Sequence, residues 1–463
     1  MNLTRVNGGS ARQPPEVGET GGGGGLRSAA SGFFDEGSLA LSPTRPVSRN
    51  PKGGHASGPV RGRCAVTQPA AGPLSGVTVL DLSTVVLGPY ATQLLGDMGA
   101  EVIKVETGAG DIMRHAGPAP APGMGAIYMG LNRNKKSVVL DLKSPSGMEA
   151  MRRLAARSQV FFTNVRMDGL RRMGLAYEDV RALREDVVYV HCAGYSAKGP
   201  YAGKPAYDDL IQAGSGVADL FAIREGGPPR YMPALMADKV SGLHAAYATL
   251  AGLFALARTG EGQFIEAPML ESFTAFNMVE NLYGRTFIPP LAQMAYTRSV
   301  SASRMPYPTR DGYIGIMPYS DTQWVTFFEL GGRPEIMTED PRFSTYAART
   351  QNIAALYQLV AEVAATRTTG EWLELLAKAD IPSMRCNTLE DVLDDPHLRA
   401  TGFLHERQHP VVGPYVAMEH PVRFTGTPAD IRLEPPTLGQ HTREVLEALG
   451  FAGDELEAML SAS

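Results

Sequence analysis

The chain has 463 residues, 44% of them hydrophobic and 20% charged, with a formal net charge of -5 at neutral pH. That length exceeds what one simple core serves and predicts two structured domains. The mild acidity gives no support for nucleic-acid binding, which draws on a basic face. Three cysteines, Cys64, Cys192 and Cys386, stand far apart with no CxxC or Cys/His spacing, so neither a disulfide framework nor a metal site is expected.

Residues 1–72 hold an unbroken glycine run at 21–25 and much Ser, Pro and Arg, with little apolar periodicity. Such a segment buries too little surface to offset its conformational entropy, and a disordered extension is expected. The first twelve residues lack the apolar centre of a secretory signal, and no stretch reads as a membrane span. A cytoplasmic location and no membrane partner are therefore expected.

Order begins at Pro73. Residues 77–82 read as a buried strand, and Pro89 suits the first turn of a helix. Leu94, Leu95 and Met98 supply that helix with an apolar face, and Gly99 ends it before a strand at 101–106. Further strands are predicted at 138–142, 160–165 and 187–192, with helices at 146–156 and 177–184. Alternation of this kind predicts a mostly parallel sheet with helices on its faces. Val240, Leu243, Tyr247, Leu250 and Phe254 recur at helical spacing and predict an amphipathic helix over 239–257, followed by a strand at 263–267. From residue 287 the texture changes, with Pro289-Pro290, a strand at 312–316 and helices at 353–364 and 371–379. The expected organisation is a large domain at 73–286, a smaller domain at 287–400, and a segment at 401–463, with a helix at 442–449, that returns to the large domain.

A Rossmann-like arrangement raises the question of a dinucleotide. The first strand-to-helix turn reads Ser83-Thr84-Val85-Val86-Leu87-Gly88-Pro89, without the G-x-G-x-x-G that admits a pyrophosphate. Other features suit an anionic ligand. Residues 132–137 form a basic, polar turn before a strand, while Lys143, Asn164 and Arg166 fall at strand carboxyl ends, where open α/β sheets bind ligands. Arg171 and Arg172 follow. Asp238 precedes the long helix. Its plain reading is an N-cap, worth about 1 kcal/mol. Its sharper reading is a nucleophile kept ionised by free N–H groups and the helix dipole, with Gly242 admitting a ligand to the backbone. His191, His244 and Cys192 read as packing or hydrogen-bonding residues.

In this order, several weak marks resemble the class III CoA-transferases, the family of formyl-CoA transferase and carnitine CoA-transferase. They are Pro73 to Asp81; Gly88-Pro89; Leu94 to Glu106; Asn134-Lys135-Lys136-Ser137 with Leu140 to Lys143; Tyr207-Asp208 with Gln212, Ser215 and Gly216; Ala237-Asp238 with Gly242; Gly260 to Gln263; and Leu438 to Thr442. The resemblance implies an α/β fold with a Rossmann-like large domain, a smaller inserted α+β domain and an interlocked homodimer. It implies Asp238 as the catalytic nucleophile, forming an acyl anhydride and then an aspartyl-CoA thioester. It implies a coenzyme A site at Leu87, Leu140, Lys143, Asn164, Val165, Arg166, Arg172 and Tyr207, acyl-CoA and carboxylic acid substrates, and no permanent cofactor or metal. Val86 stands where formyl-CoA transferase has a glutamine, and the family's glycine-rich loop is missing at 299–304, so formyl or oxalate specificity does not follow. Two alternatives stay open: an α-methylacyl-CoA racemase, although Tyr207 replaces the His of its His-Asp pair, and a non-catalytic coenzyme A binder. Arg298 or Arg304 is a candidate clamp for a dicarboxylic acid.

Overall fold

The computed structural model describes residues 72–461, so the N-terminal extension and Cys64 lie outside the described residues. Six strands form the main sheet: β1 (Thr78–Leu82), β2 (Glu101–Glu106), β3 (Lys135–Val139), β4 (Val160–Thr163), β5 (Val188–Ala193) and β6 (Gln263–Pro268). Their order is β3-β2-β1-β4-β5-β6, and every neighbouring pair is parallel. Apolar runs such as Val-Phe-Phe in β4 suit a sheet covered on both faces. Successive side chains enter opposite layers: Val79 joins one core and Leu80 the other. The chain order reverses direction across β1 and β4, which places the topological switch point between their carboxyl ends.

The strand predicted at 138–142 begins earlier, at Lys135. Two lysines and a serine read as a turn, yet Lys135 and Ser137 are fully buried. They belong to a polar row across the sheet in which Asp81 of β1 pairs in register with Lys104 of β2, and Lys104 with Ser137 of β3. Lys135 Nζ reaches Asp81 Oδ2 at 3.3 Å, and Lys104 Nζ reaches Asp111 Oδ2 at 3.0 Å. Burial alone would raise the Asp81 carboxyl. Lys135 and Lys104, with the Ser83 and Thr92 hydroxyls, outweigh that and hold it below its ordinary value.

The long helix spans Met236–Thr259. By length and composition it could cross a membrane, which corrects the reading that no segment passes that test. Its packing also differs from the predicted stripe. Val240 of that stripe is buried and Leu250 half-buried against the core, but the rest of the buried face is small, with Ala237, Ser241, Gly242, Ala245, Ala246, Thr249 and Gly252, while Leu243, Tyr247 and Phe254 are 49%, 60% and 63% exposed. Small side chains let the helix backbone approach the sheet: a Cβ at Gly252 would lie 2.8 Å from Val188 Cγ1.

A second cluster of aromatic residues, including Trp324, Phe327, Phe328 and Trp372, forms its own core beside a three-stranded antiparallel sheet of β7 (Tyr307–Pro308), β8 (Tyr313–Ile316) and β9 (Ser383–Arg385). Two of its helices start at capping boxes, Ser320 with Gln323 and Thr368 with Glu371. Strands β10 (Leu404–His409) and β11 (Gly413–Met418) form an antiparallel hairpin. Val445, Leu446, Phe451, Leu456 and Met459 of the tail then join a core of the large sheet.

Candidate active site

Asp238 lies in the first turn of the Met236–Thr259 helix. That helix feeds parallel β6, so it runs back along the sheet and starts at the carboxyl edge of the strands. The N-cap reading fails, because the cap position is Leu235 and no side chain bonds there. Instead the Asp238 N–H donates to Asp208 Oδ1 at 3.0 Å. Gln212 Nε2 donates to the other Asp208 oxygen at 2.6 Å, and Gln212 Oε1 accepts the Met232 N–H at 2.8 Å. Asp208 and Gln212, four residues apart on the Asp208–Gly214 helix, thus clamp the chain that enters the Asp238 turn.

The Asp238 carboxylate itself has no hydrogen-bond or ion-pair partner among the described residues, although the residue is only 8% exposed. Burial raises its pKa, the negative charge of Asp208 raises it further, and it is pushed up to about 7. The expectation that the helix N-terminus keeps it ionised is therefore corrected. Removal from water outweighs a dipole effect that is worth about 1 kcal/mol. The result is a buried carboxylate with no protein partner among the described residues and raised basicity.

The neighbouring β1-to-helix turn is rigid and strained. Val85 has φ 74°, a left-handed conformation that a β-branched residue rarely adopts. Asp111 Oδ1 accepts the Val85 N–H at 3.2 Å, and Lys104 Nζ donates to the Ser83 carbonyl at 2.6 Å. The buried ionic row thereby fixes the backbone that presents Leu87. Gly242 was expected to admit a ligand, but it admits this turn: a Cβ there would lie 2.8 Å from the Leu87 carbonyl oxygen and 3.1 Å from Tyr90 Cδ1.

The basic turn at 132–137 does not supply free cations. Arg133 and Asn134 bond Asp97, Lys135 pairs with Asp81, and Lys136 pairs with Glu101 and Glu444. Lys143, Arg166 and Arg172 are exposed and form no ion pair among the described residues. Lys143 follows β3 and Arg166 follows β4, three strand spacings apart, or about 14 Å. That separation suits an extended anionic ligand better than one phosphate. Asn164 spans the switch point, donating to the Thr84 carbonyl at 2.8 Å and accepting its N–H at 3.1 Å. His191 Nε2 bonds the Val165 carbonyl at 3.0 Å, and His244 Nδ1 bonds the Val240 carbonyl at 2.9 Å, as structural histidines do. Cys192 is a buried free thiol. Leu140 is buried, and Tyr207 is 65% exposed at the cap of the Asp208–Gly214 helix.

Asp208 is the contact that sequence reasoning missed as part of the Asp238 site. Its spacing from Gln212 was visible, but nothing local signals a partner thirty residues further on.

The model of CoA-transferase family III matches residues 74–442. Succinyl-CoA:glutarate CoA-transferase of Mus musculus is 34% identical over 393 residues, covering 84% of this chain and 89% of that protein. Succinyl-CoA–D-citramalate CoA-transferase of Chloroflexus aurantiacus is 31% identical over 400 residues, covering 84% and 97%. A crystal structure of a CAIB/BAIF family protein from Brucella suis superposes with a TM-score of 0.71 at 30% identity, covering 82% of this chain and 100% of that one. With this fold, match and extent, the chain belongs to the class III CoA-transferases, enzymes that move coenzyme A between an acyl-CoA and a carboxylate.

Proposed function

We propose that Asp238 carries the transfer as a covalent nucleophile. One carboxylate oxygen attacks the thioester carbonyl of the donor, the C–S bond breaks, and coenzyme A leaves as thiolate from an aspartyl–acyl anhydride. The thiolate attacks the aspartyl carbonyl, releasing the donor acid as carboxylate and leaving an aspartyl-CoA thioester. The acceptor carboxylate then reverses both steps and regenerates Asp238. The observation that carries this reading is a buried carboxylate without a protein partner, at the carboxyl edge of a parallel sheet and with its own amide anchored to Asp208. Dividing one exchange into four acyl transfers is the gain from nucleophilic catalysis.

In this reading Lys143, Arg166 and Arg172 take the phosphates of coenzyme A, and Leu87, Leu140, Asn164, Val165 and Tyr207 line the path towards Asp238. Free guanidinium and ammonium groups suit that role. Succinyl-CoA is the donor to test first, because two relatives carry it in their names. The test is mass spectrometry after incubation with acyl-CoA and trapping by hydroxylamine. A modified Asp238 peptide, absent from Asp238→Ala, supports the mechanism. Turnover without that adduct would sink it.

The active form in this proposal is a homodimer, with a large Rossmann-like domain at 73–286 and 401–463 and an inserted domain at 287–400. Exposed Leu243, Tyr247 and Phe254 on the helix that bears Asp238, with Phe276 at 53% and Val279 at 84%, give apolar surface for a second copy. Light scattering on the eluting enzyme checks this, and a monomer at micromolar concentration refutes it.

A further inference from the structure

Ser241 is 2% exposed, and its Oγ is buried with no hydrogen-bond partner among the described residues. Other buried hydroxyls of the fold are used. Ser83 and Thr92 donate to Asp81, Ser137 donates to Glu106, and Ser215 donates to the Gln212 carbonyl. On the same Met236–Thr259 helix, Thr249 Oγ1 donates to the Ala245 carbonyl at 2.7 Å, the ordinary outlet for a helical hydroxyl. Ser241 leaves the corresponding Ala237 carbonyl unused. A buried hydroxyl without a partner destabilises a fold, and alanine at this position would remove that penalty while favouring the helix.

Asp238, Ser241 and Gly242 stand at i, i+3 and i+4 and share one buried face of the helix. At Gly242 that face closes on the Leu87 carbonyl and the Tyr90 ring. Side chains of a helix tilt towards its N-terminus, so the Ser241 hydroxyl leans over the turn that bears Asp238. Cβ atoms three residues apart on a helix are about 5–6 Å from each other. A hydroxyl and a carboxyl span that gap with one O–H···O bond of about 2.7 Å. The Asp238 carboxylate and the Ser241 hydroxyl are thus an acceptor and a donor, 8% and 2% exposed, each without a partner among the described residues.

We propose that Ser241 is a catalytic hydrogen-bond donor, left unpartnered in the resting enzyme and serving the oxyanion that forms on the aspartyl carbonyl of Asp238. This role rests on the covalent reading of Asp238 and adds to it a second reacting side chain. When one Asp238 oxygen attacks the donor thioester, it becomes the bridging oxygen of the anhydride. The other becomes the aspartyl carbonyl oxygen. Coenzyme A thiolate then attacks the aspartyl carbon, and the carbonyl electron pair moves onto that second oxygen, to which the Ser241 O–H donates. The pair returns as the bond to the bridging oxygen breaks and the donor acid leaves as carboxylate. Ser241 keeps its proton throughout. A donor already in place and out of water needs no reorganisation when the charge appears, which is how such groups raise a rate.

The test sets Ser241→Ala against Thr249→Ala in the full-length protein, with succinyl-CoA as donor and glutarate as acceptor, the pair in the name of the Mus musculus relative. Ser241→Ala is expected to lower kcat about 100-fold, the loss of one oxyanion donor, with each KM within about threefold. The acid limb of kcat/KM stays where wild type has it, because Ser241 does not bond the resting carboxylate. Its Tm is expected to be unchanged or higher by about 1–4 °C. Thr249→Ala should show the reverse, a lower Tm with kcat within about twofold of wild type. Rapid quenching and intact-protein mass spectrometry should find coenzyme A attaching to Asp238 about 100-fold more slowly in Ser241→Ala. A wild-type kcat in Ser241→Ala, or a loss of kcat matched by a lower Tm, would overturn the assignment. A wild type that turns over without coenzyme A on Asp238 removes the covalent reading and this role with it. A wild type that forms the adduct no faster than Ser241→Ala removes this role alone.

Discussion

Asp238→Asn keeps the shape of the side chain proposed as the nucleophile and removes its charge. In the folded wild type burial and Asp208 push this carboxyl up to about 7, from an ordinary value of 3.8. Between those values the folded chain holds a proton that the unfolded chain releases. The contribution of Asp238 to stability therefore falls as pH rises from about 4 to 7 and levels off above. The full displacement is worth about 4 kcal/mol at about 1.36 kcal/mol for each tenfold change in proton affinity. Asparagine carries no such penalty, so the variant is expected to outlast wild type by about 4 kcal/mol at pH 8 and by almost nothing near pH 4. For a chain of this size that is a gain of about 5 °C in Tm at pH 8. Thermal melts of both proteins between pH 5 and 8.5 read the difference, and transfer activity should vanish in the variant. A variant less stable than wild type at pH 8, or a difference that does not grow with pH, would refute the electrostatic account of Asp238.

Asp208→Asn keeps an oxygen to accept the Asp238 N–H and removes the nearby charge. The acid limb of kcat/KM, expected near pH 7 in wild type, should move to lower pH, and an unmoved limb would show that Asp208 does not tune the nucleophile. Gly242→Ala places a Cβ 2.8 Å from the Leu87 carbonyl. The strain of about 1–3 kcal/mol should exceed the gain of about 1 kcal/mol in helix propensity, lowering Tm and coenzyme A affinity together; a stabilised variant with unchanged binding would contradict the packing described. Lys135→Met removes the ion pair of a fully buried Asp81 and should cost about 3 kcal/mol, while Asp81→Leu/Lys135→Met should cost less, since it leaves no lone buried charge. Denaturant melts that rank the double variant as the less stable would count against this.

The sequence by itself determined the elements whose cause is local. Apolar runs placed β2 at its observed residues and β4 and β5 within one or two, because parallel strands buried on both faces leave no other pattern. Gly99, Gly260 and Gly450 ended helices that needed a left-handed residue. The ordered succession of short motifs sufficed to indicate the family.

Only the tertiary structure decided what those residues do to one another. Lys135 looked like part of a free basic turn and is a buried counter-ion of Asp81, two strands away. Gly242 looked like a ligand contact and is a helix-packing contact. Leu243, Tyr247 and Phe254 of the Met236–Thr259 helix looked like part of its buried stripe, yet they are exposed, and mostly small residues with Val240 form the buried face. Asp238 looked like a cap kept ionised by a dipole and is a carboxyl of raised pKa. In each case the deciding partner is distant in sequence. Burial, charge pairing and close approach depend on distances in space, which a local pattern of residue types does not encode.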